Sequence, residues 1–325
     1  MRLFTQVASV CLLAAIARPT CAQAQAPAQD PGAYNNAIVA EQVDLIKKNL
    51  RYISKAAHSE NDRKIENRRL EVVEQNKLAL SRLQHLAAFK GNDEFRLAAI
   101  RAFKTTLEVY SADFKQVNTL ASTRSDSFEA MQRFFDAQEA ANKKLTIVGD
   151  SVDAAQQRFA KAHGFSLSTT RESAKLSAYA KAVDEVNHYQ HEVFLPYFRL
   201  QKSTARLNDA LNAQDAAAFE AARVAVGTEA EKTAAELAAL PGFRGKDVAY
   251  RNAARDYANM YVVLCANQFA QMAELMKNKD HLTKTDAQTI NGHIATFNQQ
   301  RQKYNDAYNR TASAFMDTYV PVMND

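Results

Sequence analysis

The sequence predicts an all-α protein built from two tandem antiparallel four-helix bundles. Three observations lead to this expectation. Apolar residues recur every three or four positions over most of the chain, which is the spacing of one helix face. The 325 residues include 8 glycines, 6 prolines and no tryptophan, a composition typical of long helices with few turns. The segments 83–103 and 237–257 also match in residue type at a constant offset of 154 positions, which indicates an internal duplication.

Residues 1–26 have the pattern of a signal peptide. Arg2 precedes an apolar run over Val7–Ile16, which is shorter than the roughly 20 residues needed to span a bilayer. Small residues at Ala22, Ala24 and Ala26 fit the small-x-small cleavage rule. We therefore expect an exported protein, either periplasmic or at the cell surface or extracellular. No later stretch reaches membrane length, so no transmembrane segment is expected.

Residues 27–34 are rich in Gln, Ala and Pro and are predicted to form a disordered leader. An alternative is that the chain is a lipoprotein in which a lipid is attached to Cys21. Cleavage at the predicted sites would leave Cys265 as the one remaining cysteine, and a single cysteine forms no internal disulfide.

The first bundle is predicted over residues 35–164 and contains four helices. Their apolar stripes run from Val39 to Ala57, Leu70 to Ala87, Ile100 to Ala121 and Leu145 to Phe159. The His163–Gly164 pair ends the fourth helix, since glycine after a periodic run is a helix stop.

The second bundle is predicted over residues 165–325, again with four helices. The first has the longest stripe in the chain, from Leu176 to Leu211, and Pro196 within it predicts a kink. The remaining three helices are expected at about 215–240, 247–277 and 285–319.

The duplication is most visible around one turn. Nine residue pairs share the 154-residue offset: Leu83/Leu237, Leu86/Leu240, Phe89/Phe243, Lys90/Arg244, Gly91/Gly245, Asp93/Asp247, Ala99/Ala253, Arg101/Arg255 and Phe103/Tyr257. In the shared Phe-(Lys/Arg)-Gly-x-Asp turn, glycine suits a left-handed backbone and aspartate suits the N-cap of the next helix. The turn is interpreted as a structural element that ends one helix and begins the next, retained in both copies after the duplication. The alternative is a surface loop used twice in binding.

Charge gives little support for nucleic acid binding. The chain carries 41 basic and 36 acidic residues, and loss of Arg2 and Arg18 with the signal peptide would reduce its net charge from +5 to +3. The two signs alternate along the sequence, whereas nucleic acid binding needs a concentrated basic face. No nucleic acid partner is therefore expected.

One cluster has the spacing of metal ligands. In Glu185-x-x-His188-x-x-His191-Glu192, Glu185 and His188 are one helical turn apart, as are His188 and His191. Glu-x-x-His is also half of the carboxylate-bridged di-iron pattern. No second Glu-x-x-His occurs, and the apolar stripe turns these side chains toward solvent. A solvated helix face is therefore the first interpretation and a surface metal site the second.

No catalytic or cofactor-binding residues are predicted. The chain has no Gly-x-Ser-x-Gly elbow, no His-Glu-x-x-His zinc helix and no Gly-rich phosphate loop. The seventh helix has two apolar stripes, one with Cys265 and one with Tyr257 and Tyr261. Core packing is the first interpretation, and a pocket for a small apolar ligand is the alternative.

The segment Asn187–Glu192 resembles the Gly-x-His-x-x-Glu motif of imelysin-like periplasmic proteins. That resemblance implies two four-helix bundles and an exported protein. Here the glycine is absent and the glutamate follows His188 by four residues rather than three, so the iron function of the family is not carried over. The layout also resembles that of uncharacterised secreted helical surface proteins of Gram-negative bacteria.

These observations predict a non-enzymatic exported scaffold or interaction protein of the bacterial cell envelope, with a protein or cell-surface partner. Two alternatives remain. One is an imelysin-like metal-binding protein that uses Glu185, His188, His191 and Glu192. The other is a carrier of a small apolar ligand.

Overall fold

The computed structural model of the chain describes residues 15–17, 30–59 and 61–320, and this part is all-α. Ten α-helices follow one another along these residues: α1 Pro31–His58, α2 Asp62–His85, α3 Glu94–Glu108, α4 Phe114–Ala121, α5 Phe128–Ala162, α6 Arg171–Asn212, α7 Ala216–Ala239, α8 Ala249–Ala266, α9 Gln268–Lys277 and α10 Lys284–Tyr319. None of the described helices combines the length and the apolarity that crossing a membrane requires.

Helix α1 begins earlier than the sequence predicted. It starts at Pro31, inside the predicted leader 27–34, and Tyr34 of that segment is buried. The side chain of Asp30 caps the helix by accepting a hydrogen bond from Gly32 N at 2.8 Å. Proline is favoured in the first helical turn, because its fixed φ suits the helix and its missing N–H is not needed there. The Pro-rich end of the leader is therefore a helix start. Residues 27–29 lie outside the described part.

Two three-residue strands pair antiparallel, β1 Ala15–Ala17 with β2 Leu167–Thr169. The register places Ala15 opposite Thr169. Strand β1 belongs to the predicted signal peptide, and the rest of residues 1–26 falls outside the described residues.

The chain divides into two compact units, and the division falls inside α6, between Asn187 and His188. The first unit contains the described residues through Asn187 together with 319–320. The second unit contains residues 188–318. The division lies beyond the predicted boundary at residue 164, inside a helix of 42 residues rather than in the connection that precedes it. Pro196 lies within it, and helical structure continues past the proline as the periodicity predicted.

Two helices that the periodicity presents as continuous are interrupted. A π-helical segment, Val109–Asp113, joins α3 to α4. A break at Asn267, with φ −118° and ψ −87°, separates α8 from α9. Tyr110, Phe114 and Val117 of the predicted apolar stripe are buried across the first interruption. The sequence pattern therefore predicted the faces of these helices but not their interruptions.

Candidate functional site

The matched turns have the same backbone geometry. Lys90 and Gly91 have φ of 48° and 80°, and Arg244 and Gly245 have φ of 50° and 73°. The predicted left-handed conformation of the two glycines is confirmed. In each turn the residue before the glycine, Lys90 or Arg244, also has a left-handed backbone conformation. This residue is a cation placed over the preceding aromatic ring, since Lys90 Nζ lies 5.3 Å from the ring centroid of Phe89. The equivalent distance from Arg244 Cζ to Phe243 is 5.1 Å.

Each turn anchors a three-ring aromatic cluster. In the first unit, Phe89 packs 5.2 Å from Tyr34 and 5.5 Å from Phe159, the latter at 82°. In the second unit, the ring of Phe243 packs 5.3 Å from that of Tyr189. The third ring there is Phe315, 5.0 Å from Phe243 at 81°. The phenylalanine of the repeated turn is therefore a core residue in both units, which favours the structural interpretation of the turn.

The predicted N-cap role of aspartate in this turn is wrong for the first unit. The Asp93 side chain makes no capping bond, because its carboxylate is held by Arg96 at 2.6 and 2.7 Å. The hydrogen bond from Glu94 N goes to Asn92 Oδ1 instead. In the second unit the N-cap residue is Val248, so the N-cap prediction is wrong for Asp247 as well. Asp247 Oδ1 accepts a hydrogen bond from Ala249 N at 2.9 Å.

A Glu-x-x-Arg pair stabilises each helix interruption. The Arg69 guanidinium donates to both oxygens of Glu66, at 2.9 and 2.6 Å, and to the backbone oxygen of Tyr110 in the π-helical segment. Arg69 is buried, and its hydrogen bonds hold the pKa of Glu66 below its usual range. The sequence analysis missed this pair, although the spacing of three on one helix was a visible signal.

The second unit contains the equivalent pair 154 residues later. Arg223 donates to both Glu220 oxygens at 2.7 Å and to the backbone oxygen of Cys265, also at 2.7 Å. Cys265 lies two residues before the break at Asn267. The same chemistry therefore recurs beside an interrupted helix in both units.

The predicted metal ligands lie on α6, where two of them, His188 and Glu192, are exposed. The side chain of His188 is 78% exposed, and its Nε2 is 3.7 Å from Glu192 Oε1. Glu185 and His191 are half-buried. The stripe predicted to face inward, including Val186 and Gln190, is buried. Within the described residues, no three His, Cys, Asp or Glu side chains gather closely enough to hold a metal ion.

The tyrosine stripe of the seventh predicted helix lies in an aromatic core. Tyr257 packs 4.8 Å from Tyr197 and 5.2 Å from Tyr261. The Tyr197 ring also stacks on Tyr308, with centroids 3.7 Å apart and planes at 11°. The hydroxyls of Tyr250 and Tyr308 lie 2.9 Å apart. These contacts favour core packing over a pocket for a carried ligand.

Cys265 is buried at the edge of this core, and its burial raises the pKa of the thiol to about 12. At neutral pH the side chain is therefore the neutral thiol, which is not the nucleophilic form. This finding agrees with its interpretation as a small packing residue.

The core of the first unit contains buried amides that the sequence analysis did not identify. Asn35, Gln42 and Asn49 lie seven residues apart on α1, so they share one helix face, and all three are buried. Asn76 on α2 and Thr106 on α3 are buried as well. The seven-residue spacing was a possible signal, but apolar periodicity alone assigns amides to the solvent face.

Two exposed apolar residues occupy matching positions next to the Glu-x-x-Arg pairs. Leu70 follows Arg69 and is 44% exposed, and Val224 follows Arg223 and is 52% exposed. The two positions are 154 residues apart. An apolar side chain at the surface is ordinary by itself, but here it recurs at the same place in both units.

Comparison of the chain with protein-family models, with curated proteins and with solved structures finds no match.

Proposed function

We propose that this chain is a non-enzymatic binding protein of the bacterial cell envelope, made of two copies of a four-helix unit. Its partner would be a protein that presents the same apolar contact element twice. The observation that carries this proposal is the recurrence of an exposed apolar side chain, Leu70 and Val224, directly after the arginine of the Glu-x-x-Arg pair in each unit.

The internal geometry of each unit supports a duplicated origin. Helices α2 and α7 both contain 24 residues, and both begin after a capping side chain, Asn61 in one and Asp215 in the other. These caps, the two Glu-x-x-Arg pairs and the matched turns share the offset of 154 residues. Tyr189 takes the place that Tyr34 has in the first aromatic cluster. The second copy would therefore begin within α6, near the division at His188.

The chemistry of the side chains supports a binding role rather than catalysis. The Cys265 thiol is buried and protonated at neutral pH, and the tyrosine hydroxyls of the second unit lie in an aromatic core. His188 is exposed and pairs with a single carboxylate. Outward apolar side chains offer favourable contact area to a partner, since burial of apolar surface contributes roughly 25 cal/mol per Å².

The binding proposal is tested by substituting Leu70→Asp and Val224→Asp and measuring partner capture from native envelope by cross-linking. Each substitution should weaken capture at least about tenfold, because a charge is placed where apolar contact is made. Ile147→Asp is the matched control, since Ile147 is also exposed but has no apolar counterpart at the repeat offset. Equal capture by all four proteins would contradict the proposal.

Export is tested separately by expressing the full chain in a Gram-negative host and measuring the mass of the product. Cleavage after Ala24 or Ala26 would give a product that begins at Gln25 or Pro27. Recovery of the intact chain from the cytoplasm would contradict the export proposal and leave the duplication unaffected.

A further inference from the structure

We infer that the core of the first unit is an internal binding site for a small uncharged molecule that both donates and accepts hydrogen bonds. The site is centred on Asn49, Asn76 and Thr106, one side chain from each of α1, α2 and α3. All three side chains are at most 1% exposed.

Two hydrogen bonds connect the asparagines to α3 and to the π-helical segment that follows it. The Tyr110 hydroxyl donates to Asn49 Oδ1, and Asn76 Nδ2 donates to the backbone oxygen of Phe103 at 2.8 Å. Thr106 lies between these two contacts, three residues after Phe103 and four before Tyr110. At 1.5 Å per residue, the stretch from Phe103 to Tyr110 covers about 10 Å of chain, and Thr106 lies within it.

Each of the three side chains keeps one polar atom that no protein group satisfies. Among the described residues, Asn49 Nδ2, Asn76 Oδ1 and Thr106 Oγ1 are buried and have no hydrogen-bond partner. The first is a donor, the second an acceptor, and a hydroxyl is both. Gln42, two helical turns from Asn49 on the same face of α1, adds a further unpaired acceptor, Oε1.

The chemical class of the occupant follows from these atoms. A buried polar atom without a partner is costly, so such atoms are normally paired with protein or with an enclosed molecule. The three groups are neutral, and the buried guanidinium of Arg69 is already bound by Glu66 and the Tyr110 carbonyl. Water and a small molecule with an amide or hydroxyl group share the required chemistry.

The second unit indicates that this polar layer is not needed for the packing of the helices. This comparison rests on the proposed duplication. The positions equivalent to Asn76 and Thr106 are Ala230 and Met260, both buried. In the first helix of each unit the offset is 155 residues, as between Tyr34 and Tyr189, so Thr204 takes the place of Asn49. The Thr204 hydroxyl donates to the backbone oxygen of Gln201 at 2.7 Å. The first unit has unpaired polar atoms where the second has satisfied or apolar groups.

The test compares the full chain with its Thr106→Val variant, which has nearly the same shape but no hydroxyl. Occupancy is measured by magnetisation transfer from water to the protein in NMR and by native mass spectrometry. We expect Thr106→Val to weaken the signal of the bound molecule in the NMR or mass-spectrometry measurement and to lower Tm by roughly 2–4 °C. The Thr106→Ser variant, which retains the hydroxyl, should keep the signal.

Thr233→Val in the second unit is the matched control. The Thr233 hydroxyl is bound by protein, 3.2 Å from Glu229 Oε1, so its loss should lower Tm without changing the internal signal. Water cross-peaks with no added mass would identify water as the occupant, and added mass would identify an organic solute. Both results support the site.

An unchanged or higher Tm for Thr106→Val, together with no internal water signal and no added mass, would overturn the inference. Removing an unsatisfied hydroxyl from a dry core is neutral or stabilising. This outcome is independent of the capture experiment, so failure of the site and failure of the proposed binding function are distinguishable.

Discussion

The buried guanidinium of Arg69 connects two elements, because it holds Glu66 on its own helix and the Tyr110 carbonyl on another. We expect Arg69→Met to lower the free energy of unfolding by about 2–3 kcal/mol, since a buried carbonyl and a carboxylate both lose their partner. Urea denaturation followed by circular dichroism measures this loss.

Arg68→Met is the control for that substitution. Arg68 also binds a glutamate three residues away, at 2.9 and 3.0 Å, but it lies nearer the surface. Its removal should cost under about 1 kcal/mol, as for other exposed pairs. Equal losses for the two variants would show that the Tyr110 contact contributes nothing particular to stability.

Cys265 gives a second prediction for a single residue. Because burial raises its pKa to about 12, only about one thiol in ten thousand is ionised at pH 8. In a chain with Cys11→Ser and Cys21→Ser, native-state alkylation at pH 8 should be at least about a thousandfold slower than alkylation in urea. The rate should rise as the pH approaches 12. Rapid labelling of the folded protein would contradict the packing role.

Single residues were predictable where apolar periodicity decides their environment. The stripe on α6 correctly placed Val186 and Gln190 inside and His188 outside. Periodicity gave no indication that Asn49 and Asn76 are buried. An amide side chain is buried only where other groups form hydrogen bonds with it, and here those groups lie on other helices. The spacing of residues within one helix does not reveal them.

At the scale of elements, the two matched turns depend on left-handed glycines. Gly91→Ala and Gly245→Ala should each destabilise the protein by about 1–2 kcal/mol, because φ of +80° and +73° is unfavourable for residues with a Cβ. Gly292→Ala is the matched control. It lies within α10 with open space around the added Cβ, and it should stabilise by about 0.5–1 kcal/mol. Thermal denaturation of the three variants checks the opposite signs, and a loss for Gly292→Ala would contradict the argument.

The sequence predicted where most helices begin and end, since caps and stop residues are local signals. Helix α7 was expected at about 215–240 and spans Ala216–Ala239. The interruptions at the π-helical segment and at Asn267 were not predicted. They are stabilised by hydrogen bonds from Arg69 and Arg223, which lie on neighbouring helices. The residue pattern of the interrupted helix itself does not indicate such contacts.

At the scale of the whole molecule, each unit has its own aromatic cluster. Phe159→Ala should destabilise the first unit and Phe315→Ala the second, each by about 3–5 kcal/mol. We expect unfolding in two transitions, with each variant lowering the midpoint of a different one. Hydrogen exchange with mass spectrometry assigns each transition to peptides of one unit. A single transition shifted equally by both variants would contradict this expectation.

The all-α fold class was predicted from periodicity and composition. The pair His163–Gly164 marks the end of a helix, and such a local signal does not indicate a division inside the next helix. The compact units divide instead within α6, and a contact-based boundary of this kind depends on packing between segments distant in sequence.

The continuous α6 helix has a consequence for proteolysis. Proteases cut exposed, extended segments and spare regular helices, and the division between the units lies inside a helix of 42 residues. The connections between α4 and α5 and between α9 and α10 both lie within a unit, so limited digestion should cut there first. The fragments released would then be parts of units, and the two units would not be separated by the mild cleavage that usually frees one domain from another.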